Sequence, residues 1–335
     1  MADIVLVQPP IRDFYLTAKR TVPYGLACIA SPLLRQGYSV EIVDALASRK
    51  SQKEALPPEM SYLRDLYAGP DISPFCLFHD FRRFGLDPES TGERVGEAGP
   101  FLVGVSSLFS AYAAEAVETA QIVKERRPKA IVVLGGHHPT EMPEEVLRHD
   151  CVDFIIRGEG EAAMLLLAEA IRGNGSVESV PGIGFKTAGG KFCVRPPAVL
   201  ADLDQVPLPA QELIDHNFYR RGKSASAVVT AGRGCPVGCS YCSIGCASWC
   251  GFRMKSASRL LEEIRRAVLG AGARFIDFED ENISFRKEWF LGLLSEIESQ
   301  FRGCGLELRA MNGLFPPSLD EEVICAMKKA GFRAL

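Results

Sequence analysis

Short, predominantly apolar runs alternate with amphipathic stretches along the first half of the chain. Runs of strand length lie at 4–7, 39–43, 101–105, 130–134 and 154–156. Such runs are typical of parallel strands that are buried on both faces. Stretches that predict helices lie between them, at 26–36, 113–127, 143–148 and 161–171. The alternation predicts an α/β fold with a doubly wound parallel sheet, whose ligand site lies at the carboxyl ends of the strands.

The pattern is lost between about Asp44 and Gly99, where charged residues, prolines and glycines mix with short aromatic pieces. A structureless segment of that length is uncommon in a compact domain. We therefore expect short helices there and a functional excursion.

Beyond about residue 200 the chain repeats a strand followed by a helix. Predicted strands lie at 226–230, 274–278 and 306–310, and predicted helices at 256–270, 289–297 and 318–330. Ser256 or Ser258 is the expected cap of the first helix, and Ser318 with Glu321 forms a capping box for the last. Successive β/α units predict a barrel whose active site lies at the carboxyl ends of its strands.

Two features separate these halves. Residues 183–194 have a hairpin signal around Gly189 and Gly190, and residues 202–209 are rich in proline and acidic residues. We divide the chain into an α/β domain at 1–175, with the excursion at 44–99, a hairpin and linker at 176–205, and a partial barrel at 206–335.

Composition narrows the class of protein. The net charge of −4 and the 24% of charged residues of mixed sign give no sign of a nucleic-acid surface. The chain opens without a basic segment, and no uncharged apolar run reaches the roughly 18 residues that a membrane span requires. We expect a soluble protein in a reducing cytoplasm, so the 11 cysteines are not interpreted as a disulfide framework.

Five of the cysteines lie between 235 and 250, and the first three, Cys235, Cys239 and Cys242, have the spacing C-x3-C-x2-C on a loop that leaves a predicted strand. Three thiolates can hold three irons of a cubane cluster and leave the fourth iron open. Zinc is the alternative, and it requires a fourth ligand such as Cys246 or Cys250. We otherwise interpret Cys246 and Cys250 as unligated, with a second centre or a redox step as the alternative.

Small residues lie at the carboxyl ends of the predicted strands of the first half. They are Pro9-Pro10, Ser106-Ser107, Gly135-Gly136-His137-His138 and Gly158-Glu159-Gly160-Glu161. Small residues allow a bulky ligand to approach the backbone, although the same glycines can serve tight turns alone. No G-x-G-x-x-G follows a strand, which disfavours a dinucleotide.

The cysteine loop, with Tyr241 directly before its last cysteine, resembles the signature of radical S-adenosylmethionine (SAM) enzymes. The resemblance implies that Cys235, Cys239 and Cys242 ligate a 4Fe–4S cluster, whose open iron binds the amino and carboxylate groups of SAM. Reductive cleavage would then give a 5′-deoxyadenosyl radical. It also implies that Tyr241 lies near the adenine.

The acidic end of the second barrel strand follows the same resemblance. Glu279 or Asp280 is expected to accept hydrogen bonds from the ammonium of SAM, with Asn282 behind them, and Asn312 is a further candidate for contact with SAM or substrate. The alternative is a solvated loop of charges.

The first half resembles the Rossmann-like, cobalamin-binding domain that precedes the barrel in many radical SAM proteins. The turns that carry this resemblance are residues 135–140, Gly-Gly-His-His-Pro-Thr, and residues 157–161, Arg-Gly-Glu-Gly-Glu. The implied cobalamin contacts are Pro9, Ser106, Ser107, Gly135, Gly136, His137, Gly158 and Glu159. The D-x-H-x-x-G motif, which supplies a histidine to cobalt in other cobalamin proteins, is absent. We therefore expect cobalamin without that ligand, and His137 and His138 as turn or edge residues rather than cobalt ligands.

The resemblance implies a cobalamin-dependent radical SAM enzyme that methylates an unactivated carbon. A radical cyclisation, rearrangement or oxidation is one alternative, and a non-catalytic cobalamin- or zinc-binding module is another. The implied partners are a small-molecule substrate and an electron donor of the flavodoxin or ferredoxin type.

Only three complete β/α units follow the linker before Phe332-Arg333-Ala334-Leu335 begins a fourth strand. A radical SAM barrel usually has six such units, so we expect a truncated barrel and a chain that is part of a longer protein.

Overall fold

A computed structural model of the chain describes residues 1–14, 21–63, 65, 80–242, 249–310 and 312–333. Cys76 and Cys246 lie outside the described residues. The chain forms two compact units, Met1–Ala198 and Val199–Leu335.

Fifteen strands are described. Strands β1 to β15 are Ile4–Gln8, Ile11–Asp13, Val40–Asp44, Ser51–Lys53, Arg82–Phe84, Leu102–Ser106, Ile131–Gly135, Phe154–Ile156, Ile183–Lys186, Phe192–Val194, Ala225–Val229, Gly232–Arg233, Arg253–Met254, Ala273–Phe278 and Glu307–Ala310. Helices α1 to α9 are Tyr24–Arg35, Pro88–Ala98, Ala113–Arg126, His137–Glu141, Pro143–Leu147, Gly160–Ile171, Ala257–Arg265, Lys287–Phe301 and Glu321–Ala330. Short 3-10 turns lie at Pro58–Leu63, Ser110–Tyr112, Val177–Ser179, Gln211–Leu213 and Pro316–Ser318, and a π turn lies at Arg266–Gly270.

The first unit is built on a seven-stranded sheet of order β10-β9-β8-β7-β6-β1-β3. Strands β8, β7, β6, β1 and β3 are parallel, and β9 and β10 extend the sheet as antiparallel edge strands. Val5 and Val7 join the core formed with α2, α3 and α5. Gly104 faces the other side, where an added Cβ would lie 2.8 Å from Leu6 and 3.1 Å from Met164 of α6. The predicted doubly wound parallel sheet is confirmed, because helices cover both faces.

The excursion at 44–99 contains more strand than the sequence predicts. Strands β2, β5 and β4 form a small antiparallel sheet, and α2 follows. Arg12 of β2 ties this sheet to the rest of the unit, because its guanidinium lies 2.7 Å from the Glu54 carboxylate and 2.5 Å from that of Glu118 on α3. These three-residue strands are mostly polar or charged, so they lack the apolar runs that predicted the larger sheet.

The second unit contains a parallel sheet of order β11-β14-β15, with α7, α8 and α9 in the predicted β/α order. Ile276 and Phe278 of β14 are fully buried in the core with these helices. Ser256 caps α7, as predicted, by accepting a hydrogen bond from the Arg259 amide at 3.2 Å.

The predicted capping box of α9 is wrong. Asp320 caps this helix by accepting a hydrogen bond from the Val323 amide at 3.1 Å. Ser318 lies in the preceding 3-10 turn, where its hydroxyl donates to the Phe315 carbonyl at 2.7 Å. A carboxylate directly before the first helical turn also suits the positive end of the helix.

Candidate functional site

The cysteine loop is closed at its base by backbone pairing. Strands β12 and β13 form a two-residue antiparallel ladder, in which Gly232 pairs with Met254 and Arg233 with Arg253. The Lys255 amide then donates to the Ala231 carbonyl at 2.8 Å. The two ends of the loop that carries Cys235, Cys239 and Cys242 are therefore held together directly after β11.

Glycine is required at the first bend of this loop. Gly234 has φ of +76°, and a Cβ at this position would lie 2.4 Å from the Cys250 carbonyl oxygen and 3.1 Å from the Cys250 sulfur. A side chain would face both an unfavourable backbone conformation and a clash. The close approach also places Cys250 beside the residue that precedes Cys235.

Asp280, directly beyond the carboxyl end of β14, fixes the start of the loop. Its carboxylate oxygens accept hydrogen bonds from the amides of Ala231 at 2.8 Å and Gly232 at 2.7 Å. The residue is only 7% exposed. Burial raises the pKa of its carboxyl to about 6, against the effect of the two amides. Each oxygen thus holds one amide of the loop, and the contact between Asp280 and SAM stays a prediction.

Glu279 and Asn312 lie on the same rim and contact each other. The Glu279 amide donates to the Val229 carbonyl at 3.1 Å, and the Asn312 side-chain amide donates to the Glu279 carbonyl at 3.2 Å. Glu279 is half-buried. Its carboxylate stays a predicted contact for SAM because of its place at the carboxyl end of β14.

The predicted cluster ligands are half-buried on the loop. The Asn282 side-chain amide donates to the Cys235 sulfur at 3.2 Å. Tyr241 is 90% exposed, and the electrostatic interaction with Cys239, followed by a hydrogen bond to it, raises the pKa of the phenol. Within the described part of the chain, no group of three His, Cys, Asp or Glu side chains has the arrangement of a metal site. The ligand set therefore stays a prediction from spacing and donor chemistry.

The first unit has a cleft at the carboxyl ends of neighbouring strands β1 and β6. It is lined by Gln8, Pro9, Pro10, Ile11, Thr21, Leu46, Ser106, Ser107, Leu108, Phe109 and Tyr112. Three predicted cobalamin contacts, Pro9, Ser106 and Ser107, thus lie together. The Ser107 hydroxyl is buried and makes no hydrogen bond within the described residues. A buried hydroxyl without a partner costs about 1–3 kcal/mol, so a polar ligand atom in the cleft fits this position.

The turn after β7 approaches the same serine. Gly136 has φ of +118°, and a Cβ there would lie 2.6 Å from the Ser107 carbonyl oxygen. The next turn is joined to it by Thr140, whose hydroxyl donates to the Gly136 carbonyl at 2.8 Å and accepts from the Gly158 amide at 2.9 Å. Thr140 therefore holds two of the predicted ligand-binding turns at a fixed separation.

The remaining predicted contacts differ in exposure. His137 is exposed at the start of α4, whereas His138 is buried and its Nδ1 lies 3.0 Å from the Ser110 hydroxyl. Burial lowers the pKa of His138. Glu159 is buried at 6% exposure, and its amide donates to the Ala198 carbonyl at 2.9 Å. Both histidines thus lie in the short helix α4, which begins directly after Gly136.

Sequence reasoning missed Gln8 and the partners of Thr140 and Asn282. Gln8 donates to the Asp44 carboxylate at 3.1 Å and to the Thr21 carbonyl at 2.7 Å, which orders one wall of the cleft. Thr140 and Asn282 act across 18 and 47 residues of sequence. Each residue meets its partner because parallel strands place their carboxyl ends at one edge. In the sequence, only the order of the turns indicates that these residues meet.

A further cleft of about 720 Å³ lies in the second unit, beside the π turn that leads to the amino end of β14. It is lined by Leu208, Pro209, Gln211, Glu212, His216, Glu263, Arg265, Arg266, Leu269, Gly270 and Ala271. None of the predicted site residues lines it. Barrel chemistry takes place at the carboxyl ends of strands, so we do not place the candidate site there.

Comparison with known proteins bears on both units. Residues 79–168 match the model of the B12 binding domain. The chain is 26% identical over 334 residues to an uncharacterized methyltransferase of Pyrococcus horikoshii, covering 98% of this chain and 63% of that protein. It is 29% identical over 265 residues to an anaerobic magnesium-protoporphyrin IX monomethyl ester cyclase of Rubrivivax gelatinosus, covering 76% of this chain and 46% of that protein.

Among solved structures, the fold matches that of the radical SAM methyltransferase TsrM of Kitasatospora setae, determined with cobalamin and a 4Fe–4S cluster bound. The TM-score is 0.65 at 21% identity, over 99% of this chain and 58% of that chain. These matches confirm the resemblance to radical SAM enzymes with an N-terminal cobalamin-binding domain. The chain spans less than two thirds of the length of these relatives.

Proposed function

We propose that this chain carries the cobalamin-binding domain and the cluster-binding part of a radical SAM enzyme that methylates an unactivated carbon of a small molecule. One observation carries the proposal. A B12 binding domain at 79–168 is joined, in one chain, to a C-x3-C-x2-C loop that a buried aspartate fixes at the carboxyl ends of parallel strands. A binding module alone has no need for the open iron that three thiolates on one loop predict.

Cys235, Cys239 and Cys242 would hold the 4Fe–4S cluster. Three soft thiolate donors on one loop suit a cubane whose fourth iron is open. When bound and reduced, such a cluster supplies the electron that cleaves SAM into methionine and a 5′-deoxyadenosyl radical. The task of the protein is to hold the loop, which Asp280 and the β12–β13 ladder do, and to exclude solvent.

Cobalamin would lie at the carboxyl edge of the first sheet. The orphaned Ser107 hydroxyl would donate a hydrogen bond to it, and Gly135 and Gly136 leave the backbone accessible. Pro9 and Ser106 line the same cleft, and Gly158 and Glu159 are held nearby through Thr140. His137 would contact cobalamin through its ring, which is exposed at the start of α4.

SAM would contact the rim of the second unit. The Glu279 carboxylate would accept hydrogen bonds from the SAM ammonium, and the exposed Tyr241 ring would lie against the adenine. Asn312 would position Glu279 through the hydrogen bond to its backbone carbonyl.

The chemistry implies its partners. One-electron reduction requires a donor of low potential, and we propose a flavodoxin or ferredoxin type protein. The donor thiols and an open iron require a reducing compartment, so we propose the cytoplasm. Among the described residues, no helix is both long and apolar enough to cross a lipid bilayer.

A radical cyclisation is the second candidate, because a cyclase is 29% identical over 76% of this chain. It would use the same cluster and SAM, but it would not transfer a methyl group to the product.

The test is anaerobic reconstitution of the full chain with iron, sulfide and cobalamin, beside a Cys239→Ala variant. We expect about four irons per chain in the wild type, a large loss of iron in the variant, and bound corrinoid in both. Labelled methyl-SAM with a small-molecule library and a reductant then distinguishes the two reactions. Deoxyadenosine without labelled product would favour cyclisation, and zinc without a cluster would refute the radical SAM proposal.

A further inference from the structure

The Asn282 side chain reaches the first cysteine of the loop. Its Nδ2 donates a hydrogen bond to the Cys235 sulfur at 3.2 Å, across 47 residues of sequence. Sulfur is a weak acceptor as a thiol, and a stronger one as the thiolate that metals bind. Such a contact therefore acts on the electronic state of whatever Cys235 ligates.

The segment that carries Asn282 is fixed on both sides. Before it, Asp280 is anchored to the Ala231 and Gly232 amides. After it, Ile283 is 1% exposed and Ser284 is fully buried, with its hydroxyl accepting from the Phe315 amide at 2.8 Å. The backbone that carries this donor is thus held in place by its neighbours on both sides.

A second close approach restricts the same turn. A Cβ on Gly313 would lie 2.1 Å from the Glu281 carbonyl oxygen, so the backbone directly before Asn282 is packed against another strand end. The Phe285 amide also donates to the Asn282 carbonyl at 3.0 Å, closing a tight turn. A fixed donor costs little reorganisation when the charge on the sulfur changes.

On this geometry we propose that Asn282 tunes the reduction potential of the cluster that Cys235 would ligate, an inference that rests on the proposed function. Reduction adds an electron, part of whose charge falls on the cysteine sulfurs. A hydrogen bond donated to such a sulfur stabilises the reduced form more than the oxidised form, and so raises the potential. Asn282 therefore makes the cluster easier to reduce by a biological donor.

The experiment is a redox titration of the reconstituted full chain without SAM, followed by electron paramagnetic resonance of the reduced cluster. The variants are Asn282→Leu, which removes the donor and keeps the branching of the side-chain heavy atoms, and Asn282→Asp, which is isosteric and places a negative charge near the sulfur. Asn217→Leu, at an exposed asparagine of the same unit, is the control. Iron content is measured for every sample.

We expect Asn282→Leu to lower the potential so that the ratio of reduced to oxidised cluster at a fixed poise falls up to tenfold, which is about 59 mV for one electron. Asn282→Asp should lower it further, and Asn217→Leu should match the wild type. Loaded Asn282 variants with the wild-type potential would overturn the inference and leave the proposed function intact. Loss of the cluster in both Asn282 variants, with the wild type and the control loaded, would overturn tuning in favour of a role in assembly. A wild type that binds no cluster would refute the proposed function, and the inference with it.

Discussion

The buried carboxylate of Asp280 joins the end of β14 to the beginning of the cysteine loop. A charged carboxylate is unfavourable at a site that is only 7% exposed. The hydrogen bonds from two backbone amides only partly offset the hydration that it loses. The balance leaves the carboxyl with a pKa of about 6, well above the roughly 3.9 of an unfolded chain. This residue therefore makes the stability of its unit depend on pH.

The sign of that dependence follows from the raised pKa. The folded state binds the proton more tightly, so the contribution of Asp280 to the free energy of unfolding is complete below about pH 4 and is lost as the pH rises through about 6. We expect the cost of Asp280→Asn to shrink by up to about 3 kcal/mol between pH 4 and pH 7. Urea unfolding followed by tryptophan fluorescence measures it, because both tryptophans, Trp249 and Trp289, belong to the second unit.

The control for this prediction is Glu212→Gln, at an exposed carboxylate of the same unit. A cost of Asp280→Asn that stays constant across the pH range would contradict the assignment. The variant should also bind less iron after reconstitution, because one amide of the loop loses its acceptor.

At the scale of elements, the cysteine loop and the ligand-binding turns are held by backbone geometry. Gly234 and Gly238 both have positive φ, of +76° and +65°, but among the described residues only Gly234 is packed against another segment. Thr140 joins the turn after β7 to the turn after β8. In both cases one small residue fixes the distance between two strand ends.

The paired glycines allow a matched test of the loop. The Cβ of Gly238→Ala has open space around it. This variant should therefore lower the free energy of unfolding by only about 1 kcal/mol, the cost of a left-handed conformation at alanine. Gly234→Ala adds a contact of 2.4 Å with the Cys250 carbonyl and must shift the loop. We expect Gly234→Ala to lose most of the reconstituted iron and Gly238→Ala to retain most of it. Equal iron contents would show that the approach of Cys250 does not matter.

Thr140→Val tests the link between the turns of the first unit. The substitution keeps the shape of the side chain but leaves the Gly158 amide without its acceptor, at a cost of about 1–3 kcal/mol. We expect corrinoid affinity, measured by equilibrium dialysis, to fall about tenfold. Thr119→Val removes a buried hydroxyl that bonds within α3, to the Glu115 carbonyl at 2.8 Å, and is the control. Similar losses in both variants would indicate a general effect on stability.

At the scale of the whole molecule, each proposed cofactor site is built from residues of one unit. The cleft residues and the Gly-rich turns belong to Met1–Ala198, and the cysteine loop with Asp280 belongs to Val199–Leu335. Cofactor loading should therefore be separable by substitution.

We expect Cys239→Ala to lose iron and retain corrinoid, and Gly136→Val to do the reverse. Gly136 has φ of +118°, and its Cβ would lie 2.6 Å from the Ser107 carbonyl, so corrinoid affinity should fall at least tenfold. Gly25→Val, at an exposed position of α1 with open space around it, is the control. Iron and corrinoid are measured on the same samples, and joint loss of both in either variant would argue against separate sites.

Much of this molecule is determined locally by its sequence. The apolar runs at 4–7, 101–105 and 130–134 predict buried parallel strands, because helices must cover both faces of such a sheet, and the structure has strands at Ile4–Gln8, Leu102–Ser106 and Ile131–Gly135. The spacing of Cys235, Cys239 and Cys242 likewise predicts the donor chemistry of the loop, since three thiolates on one short segment need no distant partner.

The tertiary structure decided what depends on contacts between distant segments. The sequence predicts only that Asp280 lies on the rim, whereas folding brings the Ala231 and Gly232 amides within 2.8 Å of its carboxylate. Asn282 meets Cys235, and Thr140 meets Gly158, only because parallel strands place their carboxyl ends at one edge. Periodicity and spacing record which face or turn a residue occupies, whereas a hydrogen bond between two turns depends on the packing of the whole sheet.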